Sequence, residues 1–172
     1  TNLNEERIEL SQEIFNKLAK KGYNRIPLMC EVLADLDTPL STYTKICNFP
    51  YSYLFESVEG GEKWGRYSII GLPAKKIISV TGEKIKITEN SKLIDKYNTN
   101  DPLKEIEKIQ QSYKVAQIEG MPRFSGGLVG YFGYETIRYI EPKLNKNNKE
   151  DPIGSPDILL MVSDEVIVFD NL

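Results

Sequence analysis

Residues 51 to 71 read Tyr51-Ser52-Tyr53-Leu54-Phe55-Glu56-Ser57-Val58-Glu59-Gly60-Gly61-Glu62-Lys63-Trp64-Gly65-Arg66-Tyr67-Ser68-Ile69-Ile70-Gly71. Aromatic and aliphatic residues suit a pleated surface, and the Gly60-Gly61 pair permits positive φ, so the stretch predicts strand, turn, strand. Trp64, the only tryptophan, opens the second strand. Such a hairpin can gather an anion (Glu56), a cation (Arg66) and two hydroxyls (Ser57, Ser68) over apolar residues. Those groups suit a zwitterion with an aromatic tail, such as an amino acid. The same residues also fit a solvated cross-strand ion pair, which is common and weak.

Before the hairpin, Leu10, Ile14 and Leu18 recur at helical spacing with Phe15 beside them, predicting a helix over 4–21. Asn4 serves as its N-cap, Glu5 and Glu6 suit the positive end, and Gly22 stops it. Arg25 to Leu33 reads as a strand entered at Pro27. Asp35-Leu36-Asp37 reads as a turn, because no third carboxylate stands at a ligand spacing. Thr38-Pro39 then opens a helix with Leu40, Tyr43 and Cys47 on its buried face.

After the hairpin, Lys76 to Val80 and Lys84 to Thr88 predict a second hairpin around Thr81-Gly82-Glu83. A polar loop is expected over 89–100. Asp101-Pro102 starts a third helix, carrying Leu103, Ile106 and Tyr113 to about residue 113. The glycines at 126, 127, 130 and 133 lack the strand-turn-helix context of a phosphate loop, and predict a central strand approached closely by its neighbour. Tyr134 to Glu141 reads as a short helical turn ending at Pro142, and 143–155 as loop. Asp157 to Asp170 is one strand or two, interrupted near Ser163-Asp164-Glu165. Short helices among hairpins, without βαβ alternation, predict an α+β domain of antiparallel sheets.

Composition excludes several classes. The 172 residues fit one domain, and a net charge of −3 with interspersed signs offers no basic face for nucleic acid. No apolar run reaches the roughly 18 residues of a membrane span, and the start has no secretory pattern, so a cytoplasmic location is the default expectation. Histidine is absent, which removes His-based triads and metal sites. Cys30 and Cys47 are expected as two buried free thiols. The chain starts without methionine and ends just after an apolar strand, giving the expectation of a piece of a longer protein.

Three ordered stretches carry a resemblance. Leu54-Phe55-Glu56-Ser57-Val58-Glu59 through Trp64-Gly65-Arg66-Tyr67-Ser68 resembles the Leu-Leu-Glu-Ser region of anthranilate synthase component I, with Phe55 in place of the second Leu. Pro122-Arg123-Phe124 through Gly133-Tyr134-Glu135 resembles that family's glycine-rich strand. Pro156-Asp157 through Phe169-Asp170 resembles the strand closing its first domain. The resemblance implies an α+β layered sandwich with an antiparallel core, forming a single amino-terminal regulatory domain over 1–172. The parent converts chorismate to anthranilate with ammonia from a glutamine amidotransferase subunit. The Mg²⁺ and chorismate site lies in a carboxyl-terminal catalytic domain absent here, so no catalytic residue and no metal ligand is expected in this chain.

The resemblance further implies a tryptophan feedback site lined by Leu54, Glu56, Ser57, Arg66, Tyr67 and Ser68. Glu56 takes the ligand's ammonium, Ser57 its carboxylate, and Leu54 lies against the indole. Lys63 is the alternative to Arg66. The same domain type serves aminodeoxychorismate synthase, and a β-rich interaction module without catalysis is a further alternative.

Overall fold

The computed structural model describes residues 7–8, 10–58, 64–141, 143–144 and 151–170. In chain order the elements are β1 (Arg7–Ile8), α1 (Gln12–Lys20), β2 (Met29–Cys30), α2 (Pro39–Ile46), β3 (Tyr53–Val58), β4 (Trp64–Gly71), β5 (Lys76–Thr81), β6 (Lys84–Glu89) and β7 (Lys92–Asn98). They continue with α3 (Pro102–Ser112), β8 (Gly127–Phe132), a 3-10 turn at Tyr134–Thr136, α4 (Ile137–Ile140), β9 (Ile158–Ser163) and β10 (Val166–Asp170). Every named strand pair is antiparallel, so the expected α+β class is borne out.

Two sheets share one long ribbon. Their orders are β10-β4-β3 and β7-β6-β5-β9-β8. β4 pairs with β10 while β5 pairs with β9, so the chain leaves both strands of one sheet to enter both of the other at the same place. Gly71 stands opposite Val166 and Lys76 opposite Val162, five residues along one strand against four along the other. One surplus residue is the mark of a bulge, which bends a strand. The bend is tied by the Leu72 N–H donating to Glu165 O at 3.1 Å and by Lys75 Nζ on Glu165 Oε1 at 2.8 Å. Deeper in, the Tyr53 and Ser163 hydroxyls share a buried hydrogen bond of 2.8 Å between β3 and β9.

The core lies on one face of the five-stranded sheet. Ile78, Val80, Ile85, Ile158, Leu160 and Val162 alternate toward Ile106 of α3, with Leu103, Ile109 and Tyr113 around them. Period two on the strands meets period three to four on the helix, which is why these residues find one another. Asp101 caps α3 by accepting from the Lys104 N–H at 3.0 Å, and Pro102 fills its first position, buried. A second clamp sits at the hairpin turn: the Tyr139 hydroxyl lies 2.9 Å from Gly82 O and 2.7 Å from Asp157 Oδ2, and the same oxygen accepts from the Gly82 N–H at 2.7 Å. Burial, and then the Asp157 carboxylate, push the Tyr139 pKa up.

Several expectations are corrected. The first helix starts at Gln12 with Ser11 as N-cap, because Arg7–Ile8 joins a two-residue ladder with Met29–Cys30 instead. The Asn4 cap and the acidic pair after it lie outside the described residues. The strand expected over 25–33 shrinks to Met29–Cys30, and Cys30 is exposed, while Cys47 is fully buried; both thiols are free. Leu40 is 60% exposed rather than buried. The loop expected over 89–100 contains β7, turned back by Asn90 and Ser91 at φ of 50° and 63°. Both central residues at positive φ match the tight hairpin turn whose twist suits paired strands. The glycine-rich strand β8 closes an edge of its sheet rather than its centre. Its glycine is needed at 130, where a Cβ would lie 1.9 Å from Leu159 O of β9.

Asp35 and Leu36 form a turn as expected, and Asp37, just before α2, accepts from Ser41 Oγ and pairs with Lys45 of the helix's last turn. Thr38 and Ser41 cap one another reciprocally there. Of the expected loop over 143–155, residues 145–150 lie outside the described set.

Candidate functional site

Among the described residues β3 is an edge strand, paired only with β4 in its sheet, and α2 packs against both. Register decides which side chains meet. Leu54 faces Ile70 and Glu56 faces Ser68, so these four share one face; Phe55 and Ile69 share the other. Ser68 is 4% exposed and Ile70 fully buried, so the Leu54–Glu56 face has a buried floor and an exposed carboxylate at its rim.

Beyond Glu56 the ladder slips. Val58 stands opposite Trp64, two residues on along β3 against four on β4. The surplus residues displace Arg66 from the position facing Val58 that an unbroken register would give it. Gly65 fills the irregularity: a Cβ there would fall 2.1 Å from the Ser57 Cβ, so only glycine lets the strands close at this point. The Gly60-Gly61 turn and Lys63 lie outside the described residues, as does the side chain of Trp64.

Arg66 therefore does not meet Glu56 across the hairpin. Its Nη2 lies 2.8 Å and its Nε 3.1 Å from the Asp170 carboxylate of β10, and its guanidinium sits 4.8 Å from the Tyr67 ring centroid. The hydrogen bonds that Arg66 donates to Asp170 raise its pKa further above its ordinary value. Of the six residues the sequence singles out, Leu54, Glu56 and Ser68 lie together on one face, Ser57 packs on Gly65, and Arg66 with Tyr67 forms a separate cluster with Asp170. Asp170, Gly65 and Tyr53 complete this region, and sequence reasoning missed all three. The Arg66–Asp170 pair spans 104 positions, so no local spacing could have signalled it.

Chemically, the hairpin offers a carboxylate, hydroxyls, main-chain groups of an edge strand and a guanidinium whose present partner is exposed. Among the described residues no three His, Cys, Asp or Glu groups gather to hold a metal ion. Burial pushes the Cys47 thiol up, away from nucleophilic duty. No helix of the described residues is long and apolar enough to cross a membrane.

Fold and hairpin together define an α+β protein of joined antiparallel sheets with polar groups along one edge hairpin. No family model matches the chain. Curated proteins named anthranilate synthase component 1 match it along almost its whole length. The protein from Pseudomonas putida is 55% identical over 163 residues, covering 95% of this chain and 33% of the relative. Those from Neisseria meningitidis serogroup B and Aquifex aeolicus are 49% and 40% identical over 166 residues each. A crystal structure of anthranilate synthase component I from Streptococcus pneumoniae aligns with a TM-score of 0.48 and 24% identity, covering 82% of this chain and 29% of that one. The chain spans about a third of the length of the curated relatives it matches, at their amino-terminal end. Over that third, it belongs to the anthranilate synthase component 1 family.

Proposed function

We propose that this chain is the regulatory, amino-terminal part of an anthranilate synthase component 1, and that its β3–β4 hairpin contributes to a tryptophan site. The observation that carries the reading is 55% identity sustained over 95% of the chain. The complete enzyme makes anthranilate and pyruvate from chorismate and ammonia, and a glutamine amidotransferase subunit delivers the ammonia. Chorismate and Mg²⁺ bind in polypeptide outside this chain, so the 172 residues alone do not turn over.

Within the hairpin, Glu56 accepts the ligand's ammonium, a charge-assisted bond of the stronger kind. The ligand carboxylate takes the Ser57 hydroxyl or its main-chain N–H, with Leu54 against the indole and Ser68 in the floor. Arg66 and Tyr67 line the opposite side. An exposed ion pair such as Arg66–Asp170 is weak, so the guanidinium can exchange Asp170 for the ligand's carboxylate. Inhibition follows if tryptophan binds the inactive arrangement better, and a coupling of about 1–3 kcal/mol gives a several-fold to hundred-fold effect.

The test is made in the full-length polypeptide, following anthranilate fluorescence against added tryptophan. Ser57→Ala and Glu56→Gln are each expected to raise the half-inhibiting tryptophan concentration at least ~10-fold, the middle of that coupling range. Unchanged inhibition in both variants removes the hairpin from the regulatory site.

A further inference from the structure

The two outer strands of the five-stranded sheet differ in how they are finished. β7, at one edge, reads Lys92-Leu93-Ile94-Asp95-Lys96-Tyr97-Asn98 and faces a register shift on β6 between Ile87 and Thr88. Charges and irregular pairing are the means by which proteins keep an edge from acquiring another strand. β8, at the other edge, reads Gly127-Leu128-Val129-Gly130-Tyr131-Phe132, without charge or proline, and pairs with β9 over all six residues without a shift. Tyr131 and Phe132 are 41% and 53% exposed on opposite faces, and Gly130, just before them, is exposed as well. Tyr134, just beyond, is 90% exposed. Among the described residues no strand lies outside β8.

The ladder fixes what this edge presents. The Gly133 N–H donates to Asp157 O at 2.7 Å, so residues alternating with it along β8, at 131, 129 and 127, turn their main-chain groups toward β9. The main-chain groups of Leu128, Gly130 and Phe132 then face outward. The curated relatives carry about two thirds of their length outside the matched region.

We propose that β8 is a docking edge, extended by a strand from the polypeptide that full-length relatives carry outside the matched third. The added strand pairs with the outward main-chain groups of Leu128, Gly130 and Phe132 and packs apolar side chains against Tyr131 and Phe132. The inference rests on the chain acting within a longer anthranilate synthase component 1.

The full-length polypeptide tests it, with a photoreactive benzoylphenylalanine at position 132. Irradiation is expected to link that residue, at the mass of a single chain, to a peptide outside residues 1–172. In the unsubstituted protein, the amides of 128, 130 and 132 are expected to exchange as slowly as those of β9. A link to a second copy, a link confined to residues 1–172, no link at all, or fast exchange at those amides overturns the proposal. Chorismate turnover measured on the unsubstituted protein separates the two claims. A link outside residues 1–172 without anthranilate formation retains the docking edge and removes the enzyme reading, while turnover without the link does the reverse.

Discussion

Three tyrosines show what single side chains contribute here. Burial raises the pKa of Tyr53, Tyr97 and Tyr139; a hydrogen bond with Ser163 opposes the rise at Tyr53, whereas carboxylates add to it at the other two. An unfolded tyrosine loses its proton near pH ~10, while these three retain theirs in the folded protein. The native state then binds more protons, so stability is intact below that pH and falls as pH rises through the folded values. Denaturant midpoints measured from pH 8 upward should decline beyond about 10, and tyrosinate absorbance should show Tyr139 titrating only with alkaline unfolding. A flat midpoint would mean these phenols are not held as described. The long-range partners were not legible locally: Tyr53 and Ser163 lie 110 positions apart, and Arg66 finds Asp170 over a similar distance. What could be read was the chemical inventory, Glu56 and Ser57 beside Leu54. The slipped register that turns Arg66 away depends on how Gly65 seats against Ser57, which spacing does not report.

At the level of elements, periodicity worked where one face was strongly apolar. The Lys84-Ile85-Lys86-Ile87 alternation became β6, and Asp101-Pro102 started α3 where expected. It failed where burial was slight. β7 has Tyr97 as its only half-buried residue, so its composition resembles a loop, and Ser91 replaces the glycine that usually flags such a turn. α1 was drawn too long because its apolar stripe is half-exposed and sets no firm limit; Ile14 remains 49% exposed. Substitutions should follow the same division. Ile158→Ala, at a fully buried position between β5 and β8, is expected to cost ~2–5 kcal/mol. Asp101→Ala, which removes only a cap, is expected to cost ~1 kcal/mol. Urea denaturation of both variants checks the order, and a costlier cap than core residue would contradict the packing described.

Across the whole molecule, the expected α+β class and antiparallel sheets are met, and the break near Ser163-Asp164-Glu165 is where the chain passes from one sheet to the other. The sequence could mark that break because Asp164 and Glu165 interrupt two apolar runs. It could not show that residues 72–75 bend beside them, since pairing between distant strands is a property of the folded whole. The bent ribbon predicts a single cooperative transition. Unfolding followed by backbone signal and by tyrosine environment should give coincident curves. Two separated transitions would show that the sheets melt independently.

That shared ribbon also limits how the molecule can flex. A hinge between lobes needs one or two strands of chain that bend freely, and here both crossings are laced to each other by Leu72, Lys75 and Glu165. Anything that tugs on the outer strand β3 is passed on as torsion of two strands that also form the middle of the larger sheet.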